Sequence, residues 1–293
     1  MKIGLQIPSF TWPGGDAIIG SRLADIARTA DNAGFFSLWV MDHFFQIPNV
    51  GKVNEPMLEG YSALSFMAAH THRIRLGTMV SGVIYRPPGI LVKTATTLDV
   101  LSGGRAYFGI GAAWNEQEAR GLGVEFPPLK ERFERLEETL QIAHQMWSGK
   151  VTSYEGKHFH LEETLNQPQP ITRPHPPILV GGRGEKKTLL LVAKYADACN
   201  IFAREGEDML RHKLDVLKSH CDKVGRNYDE IEKTCLDTVN LSSGNMTPRQ
   251  LIDHCHKLSE IGFQHLIVNM PNVAEIKPLE IIGKEVIPQV KDL

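Results

Sequence analysis

Residues 74–112, "IRLGTMVSGVIYRPPGILVKTATTLDVLSGGRAYFGIGA", decide the fold. The apolar run at 74–81 reads as a strand. Pro87 and Pro88 then open a helix, and Gly103 and Gly104 close it. Proline tolerates the amide-free first turn, and glycine tolerates the left-handed stop. A second apolar run, 106–112, follows at once. Strand, helix and strand in so short a span form a β–α–β unit, in which the two strands run parallel.

The same rhythm extends in both directions. "KIGLQI" (2–7) leads into a helix from about 16 to 32, stopped at Ala33-Gly34, and "SLWVMD" (37–42) leads through a loop rich in Pro, Gly and Asn to a helix at 60–71. After 112 comes a loop and then "PLKERFERLEETLQIAHQMWSG". There Leu129, Phe133, Leu136, Leu140, Ala143 and Met146 recur at three- and four-residue spacing, so one stripe packs inward. "PILVGG" (177–182), "ACNIF" (198–202), "KTCLDTVN" (233–240) and "HLIVNM" (265–270) are further strands. Helices follow them near 185–195, near 207–224, behind the Thr247-Pro248 cap and around 278–290. The fold class is therefore α/β. Strands this apolar suit a parallel sheet covered by helices. Eight strand–helix units predict a (β/α)8 TIM barrel, with 1–293 as one domain. An open doubly wound sheet is the alternative, and the count of eight favours closure. Segment 148–176 breaks the rhythm between strand 4 and strand 5 and reads as an insertion. Within it "VTSYEGKHFHL" is a hairpin turning at Glu155-Gly156, expected at the barrel top, where it could serve as a lid.

The chain has 293 residues, 42% hydrophobic and 23% charged, enough to bury a large core. Lys plus Arg number 32 against 34 acidic residues, so charge makes no case for nucleic acid or an anionic membrane as partner. No apolar run approaches the roughly 18 residues of a membrane span. The N-terminal "MKIGLQIPSF" lacks the apolar core of a signal peptide. Cysteines at 199, 221, 235 and 255 form no CxxC pair, which argues against a disulfide framework or structural zinc and for a cytoplasmic protein with reduced thiols.

Chemistry in such a barrel collects at the C-terminal ends of the strands. The second strand delivers Asp42 and His43, the third Thr78, Met79, Val80 and Ser81, and the fourth Gly109, Gly111, Trp114, Asn115 and Glu116. The fifth delivers Gly181, Gly182, Arg183 and Gly184, and the last three Asn200, Phe202, Asp237, Asn240 and Asn269. The mouth reads as polar, aromatic and glycine-rich, with few carboxylates. "GGRGEKKTL" (181–189) can turn backbone N–H groups toward an anion, with Arg183 adding a fixed charge; a plain glycine-rich turn explains it equally well. His43 is a proton donor or acceptor near neutral pH, or an ordinary loop histidine. Arg86 reads as a surface residue or a contact for an anionic tail, with the surface favoured. His158 and His160 read as a solvated face without carboxylate partners, and no metal site is read.

"LWVMDHFF", the block 73–138 and "PPILVGGRGEKKTLLLVAKYADACNIF" together resemble the luciferase-like monooxygenase superfamily, and within it the coenzyme F420-dependent oxidoreductases. The resemblance spans essentially the whole chain. It implies a (β/α)8 barrel with a flavin or deazaflavin ring in its mouth, backed by a bulge with a non-prolyl cis peptide at Met79–Val80 or an adjacent bond. It implies a phosphate grip at Gly181, Gly182, Arg183 and Gly184. It also sets Asp42 and His43 beside the reactive edge of the ring, His43 as the proton donor or acceptor and Asp42 as its orienter. Trp114 stands where relatives carry a substrate-side or acidic residue, which puts acid catalysis there in doubt. F420 is the favoured cofactor, with a small-molecule substrate. The alternatives are an FMN-dependent monooxygenase supplied by a flavin reductase, and a flavin-binding barrel without turnover. Relatives are often homodimers.

Overall fold

The strand–helix rhythm runs the length of the chain in the structure, a computed structural model that describes residues 1–242 and 244–293. The strands are β1 (Lys2–Ile7), β2 (Ser37–Val40), β3 (Arg75–Thr78), β4 (Ser81–Gly82), β5 (Ala106–Gly111), β6 (Tyr154–Glu155), β7 (His160–Leu161), β8 (Ile178–Gly181), β9 (Ala198–Phe202), β10 (Glu232–Thr238) and β11 (His265–Asn269). The helices are α1 (Ile19–Ala33), α2 (Gly60–Ala68), α3 (Pro88–Leu101), α4 (Glu116–Gly121), α5 (Leu129–Trp147), α6 (Thr188–Tyr195), α7 (Glu207–Val224), α8 (Pro248–Ile261), α9 (Lys277–Ile281) and α10 (Ile287–Val290), with a π turn joining the last two.

Eight parallel strands close into a ring. The order is β3-β2-β1-β11-β10-β9-β8-β5, and the β3–β5 pairing Leu76↔Ala106 completes the circle. The predicted TIM barrel is borne out, and the open-sheet alternative is not. Two differences matter for the site. The strand expected over 74–81 stops at Thr78 and resumes as β4 on β5, and the bulge between them carries the cis peptide at Met79–Val80 that the family resemblance implies. The stretch after β5, expected to be loop, contains the short helix α4.

Alternation along each strand sorts residues into two cores. Ile3, Leu5, Leu38, Val40, Phe108, Ile110 and Val268 face outward and pack under the helices. Trp39, Tyr107, Leu179, Ala198 and Ile267 face inward and plug the lumen, with Met79 above them. Two large aromatics fit because their neighbours are glycines: a Cβ on Gly77 would lie 2.6 Å from the Trp39 ring. Buried aromatics of this size remove roughly 150–250 Å² each from water. The lumen is thus a packed core, and room for a ligand begins above it. Below the plug lies a charged floor, where Glu232 accepts from Lys2 (2.7 Å) and the Tyr107 hydroxyl (2.9 Å) beside the fully buried His265.

Segment 148–176 is fastened to the outer wall. The β6–β7 hairpin hands the backbone amides of Lys157, His158 and Phe159 to Glu138 on α5, at 2.9–3.2 Å. Further along, Asn166 and Thr172 bond Thr96 and Asp99 of α3. These contacts follow helices α3 and α5 rather than crossing the mouth, so the lid expectation is not met. The histidines expected to be unpartnered each meet a carboxylate, His158 at Glu134 (2.8 Å) and His160 at Glu155 (2.9 Å). No helix of the described residues is long and apolar enough to cross a membrane.

Candidate active site

His43 leaves the end of β2 with its ring largely buried, at 14% side-chain exposure. Its Nδ1 lies 3.1 and 3.3 Å from the two oxygens of Glu118, which is completely buried. Glu118 also accepts the amides of Phe44 (2.8 Å) and Phe45 (2.9 Å) and the Tyr85 hydroxyl. Burial raises the Glu118 carboxyl, but the hydrogen bonds from His43, Tyr85 and Phe45 outweigh it and hold the group below its ordinary range. Burial, and then the bond to Glu118, push the Tyr85 phenol up. A charged Glu118 accepts a hydrogen bond from Nδ1–H of His43, which leaves Nε2 outside that pairing. Trp114, 57% exposed, lies edge-on to the His43 ring with centroids 5.3 Å apart.

The expected pairing of Asp42 with His43 is absent. Asp42 is buried and takes a two-pronged pair from Arg86, at 2.7 and 2.9 Å, while Arg86 also reaches Glu59. Burial opposes the guanidinium charge, yet Asp42 and Glu59 keep its pKa above the usual value. Arg86 is therefore an interior residue that ties the loop before α2 to the turn before α3, correcting the surface reading. Glu118 is the residue that orients His43.

The bulge forms the adjoining wall. Thr78 donates to the Gly109 carbonyl (3.0 Å) and meets Ser81 Oγ at 2.9 Å, and Ser81 reaches Tyr61 Oη at 3.2 Å. Burial and the nearby Asp42 push the Tyr61 phenol to about 12. Both hydroxyls are fully buried, so they brace the bulge from behind and leave Met79 and Val80 toward the lumen. The seat of Val80 is cut from glycine: a Cβ on Gly111 would lie 2.8 Å from Val80 Cγ2, and one on Gly181 2.9 Å from Cγ1. Any side chain there would displace Val80. The same contacts join the bulge to the 181–184 turn. An ideal Cβ on Gly60 would fall 3.1 Å from Asp42 and 3.3 Å from Thr78, so the 42–43 stretch abuts the same wall. Residues 42–43, 78–82 and 181–184 thus converge on one mouth.

On the far side, Gly182 takes φ +141°, a backbone open to glycine. Arg183 is exposed at 65% and Gly184 packs on the Thr188 hydroxyl. Asn115 caps α4 through the Glu118 amide (3.4 Å) and is a structural cap in this geometry. Asn200 takes a bond from Thr234 (2.9 Å), and Asn269 gives one to Gln6 (2.8 Å), so neutral amides line the rest of the upper lumen. Asp237 faces His254 at 2.9 Å on α8. Among the described residues no cluster of three or more His, Cys, Asp or Glu stands ready for a metal ion.

The family model for luciferase-like monooxygenases matches residues 1–265. The chain belongs to the luciferase-like monooxygenase family. It is accordingly an enzyme of the oxidoreductase class. A curated relative, the F420-dependent glucose-6-phosphate dehydrogenase of Nakamurella multipartita, is 24% identical over 323 residues, covering 93% of each chain. Among solved structures, the coenzyme F420-dependent tetrahydromethanopterin reductase of Methanopyrus kandleri superposes with a TM-score of 0.78 at 18% identity, over 99% of this chain and 100% of that one. The FMN-bound oxygenating component of the 3,6-diketocamphane monooxygenase of Pseudomonas putida gives 0.76 at 17% identity, over 99% of both. These likenesses at low identity establish the shared fold.

Proposed function

We propose that this luciferase-like protein is an F420-dependent oxidoreductase acting on a hydroxyl or carbonyl group of a small molecule. The observation that carries the reading is the buried Glu118 holding Nδ1 of His43, which leaves Nε2 to exchange a proton at the mouth. Interconversion of an alcohol and a carbonyl needs such a group, because the oxygen loses or gains a proton as the carbon exchanges a hydride. The curated relative named for F420 and glucose 6-phosphate supports the same reading.

The residues fit a bound deazaflavin. Met79 and Val80 offer a flat ring an apolar backing, in a seat that glycines 109, 111 and 181 keep open. The turn Gly181, Gly182, Arg183 and Gly184 offers open backbone and one cation to a phosphate. When bound, that cofactor supplies the hydride chemistry. The chain's own part is positional. His43 takes the proton from a substrate hydroxyl at Nε2 or returns it to a carbonyl oxygen, Glu118 stabilises the imidazolium that forms, and Trp114 screens that edge from water. Asp42 acts through Arg86 on the shape of the mouth. We further propose one domain over 1–293, a homodimer as the family resemblance implies, and a cytoplasmic setting, which suits four free, buried cysteines.

The FMN-bound neighbour favours a second reading, an FMN-dependent monooxygenase fed by a flavin reductase. Absorbance and fluorescence titrations of the purified protein with F420 and with FMN separate the two. The first reading expects tight F420 binding and substrate-dependent bleaching of bound F420. Binding of FMN alone would overturn it in favour of the second.

A further inference from the structure

We infer that Glu205 sets the charge preference of the 181–184 turn, suiting it to a singly charged phosphodiester over a doubly charged phosphate monoester. The inference rests on the F420 reading and deepens it. Two cations serve the turn. Arg183 lies within it, and Lys213 rises from α7 with only 6% of its side chain exposed to donate to the Arg183 carbonyl at 2.8 Å. A trans peptide points its C=O and the following N–H in opposite directions. By drawing in the Arg183 carbonyl, Lys213 therefore turns the Gly184 amide the other way.

Two carboxylates answer these cations. Glu205 Oε2 lies 3.3 Å from Lys213 Nζ, and Glu205 Oε1 lies 3.9 Å from Arg183 Nε. Glu185 lies 3.7 Å from Lys213 but also meets His212 at 3.3 Å, which leaves Glu205 as the carboxylate facing Arg183. The backbone locks Glu205 in place, at the end of a 3-10 turn after β9 that Gly206 terminates at φ +86°. Its Oε2 balances the Lys213 ammonium, while its Oε1 is buried without a hydrogen-bond partner on the side of Arg183.

Arg183 and Lys213 are matched by Glu185 and Glu205, and Lys186 and Lys187 follow on the α6 side of the turn. An anion that approaches Arg183 meets open backbone amides and competes with Glu205 for the guanidinium. Each negative charge brought there also meets the Glu205 carboxylate, so a doubly charged group is repelled about twice as strongly as a singly charged one. The phosphate of F420 is a diester and carries one charge. The phosphate of FMN is a monoester with a second ionisation near pH 6 and carries close to two at neutral pH. Glu205 thereby penalises FMN more than F420.

The test is a fluorescence titration of the full-length protein and two variants with F420 and with FMN. It is run at fixed ionic strength and about pH 8, where the monoester is doubly charged. Glu205→Gln is expected to tighten FMN by about tenfold and F420 by less than about threefold, and Glu205→Asp to keep the wild-type ratio. An unchanged FMN affinity, or equal gains for both cofactors, would overturn the inference and leave the F420 reading standing. Failure of the wild-type protein to bind F420 would overturn both. Should Glu205→Gln not fold, wild-type protein decides through riboflavin against FMN: a phosphate that gains less than about tenfold in affinity supports the inference, and a larger gain contradicts it.

Discussion

In the proposed reaction His43 and Glu118 carry the chemistry, and they differed in how far the sequence revealed them. His43 is legible because it follows an apolar strand at the end where barrel chemistry collects. Glu118 lies 75 residues away, in the first turn of a short helix. There Asn115 and Glu118 have the N-cap and N3 spacing of a reciprocal cap, and an acid in a first turn satisfies the helix dipole by itself. Only tertiary structure turns Glu118 back to the 43–45 loop instead. Asp42 beside His43 offered a nearer partner, and Arg86 claimed it. We predict that His43→Ala lowers turnover by about 10²–10⁴-fold while changing F420 affinity little, as steady-state kinetics and fluorescence titration would measure. Glu118→Gln should lower kcat and shift the acidic limb of the kcat–pH profile, because the imidazolium loses its counter-charge. An unmoved profile would reduce Glu118 to scaffolding.

At the scale of elements, the site is a strand that fails to continue. The run 74–81 reads as one strand because hydrophobicity does not register a bulge. The family resemblance pointed to the bulge, and the signal in the residues themselves is the glycines opposite. Gly109 and Gly111 on β5 and Gly181 on β8 leave room for Thr78 O and Val80, and a Cβ on Gly109 would fall 1.9 Å from that carbonyl. Gly181→Ala should push Val80 out of its seat and weaken F420 binding while the fold survives, a loss that titration reads directly beside an unchanged circular dichroism spectrum. Arg86 belongs to this scale, since it joins two loops across the mouth. Arg86→Ala leaves Asp42 buried and unpaired and should cost about 3–5 kcal/mol of unfolding free energy, measurable by urea denaturation. Segment 148–176 stood out from its length, but which surface it would cover depended on the amides that Glu138 collects.

At the scale of the whole molecule, the barrel was legible almost entirely from rhythm, because eight β–α units leave few ways to bury eight apolar strands. The division of its lumen into charged floor, aromatic plug and amide-lined upper lumen was not, since it depends on register around the ring. The floor governs behaviour in acid. Burial raises the Glu232 carboxyl, but its His265 and Lys2 neighbours outweigh that and bring it to about 2. A folded pKa below the unfolded value gives stability that is complete above about 4.5 and lost as pH falls toward about 2. Burial lowers the pKa of His265 against the opposing pull of Glu232, so the folded protein takes up that imidazole proton at a lower pH than the unfolded chain, which charges it from about 6.5 downward; this also removes stability on acidification until both states are protonated. The melting temperature should therefore fall steadily on acidification below about pH 6.5. His265→Gln should flatten the upper part of that decline, and a melting temperature constant down to about pH 4 would contradict the assignment.

In the proposed complex one mouth holds a deazaflavin between the Val80 seat and the His43 edge, with its phosphate on the 181–184 turn. A crystal structure of the protein with F420 bound tests it most directly. The ring is expected to stack on the Met79–Val80 bulge, with Nε2 of His43 facing the space beside its reactive carbon and the phosphate against Gly182–Gly184. A ring bound elsewhere, or bound here with His43 turned away toward solvent, would contradict it.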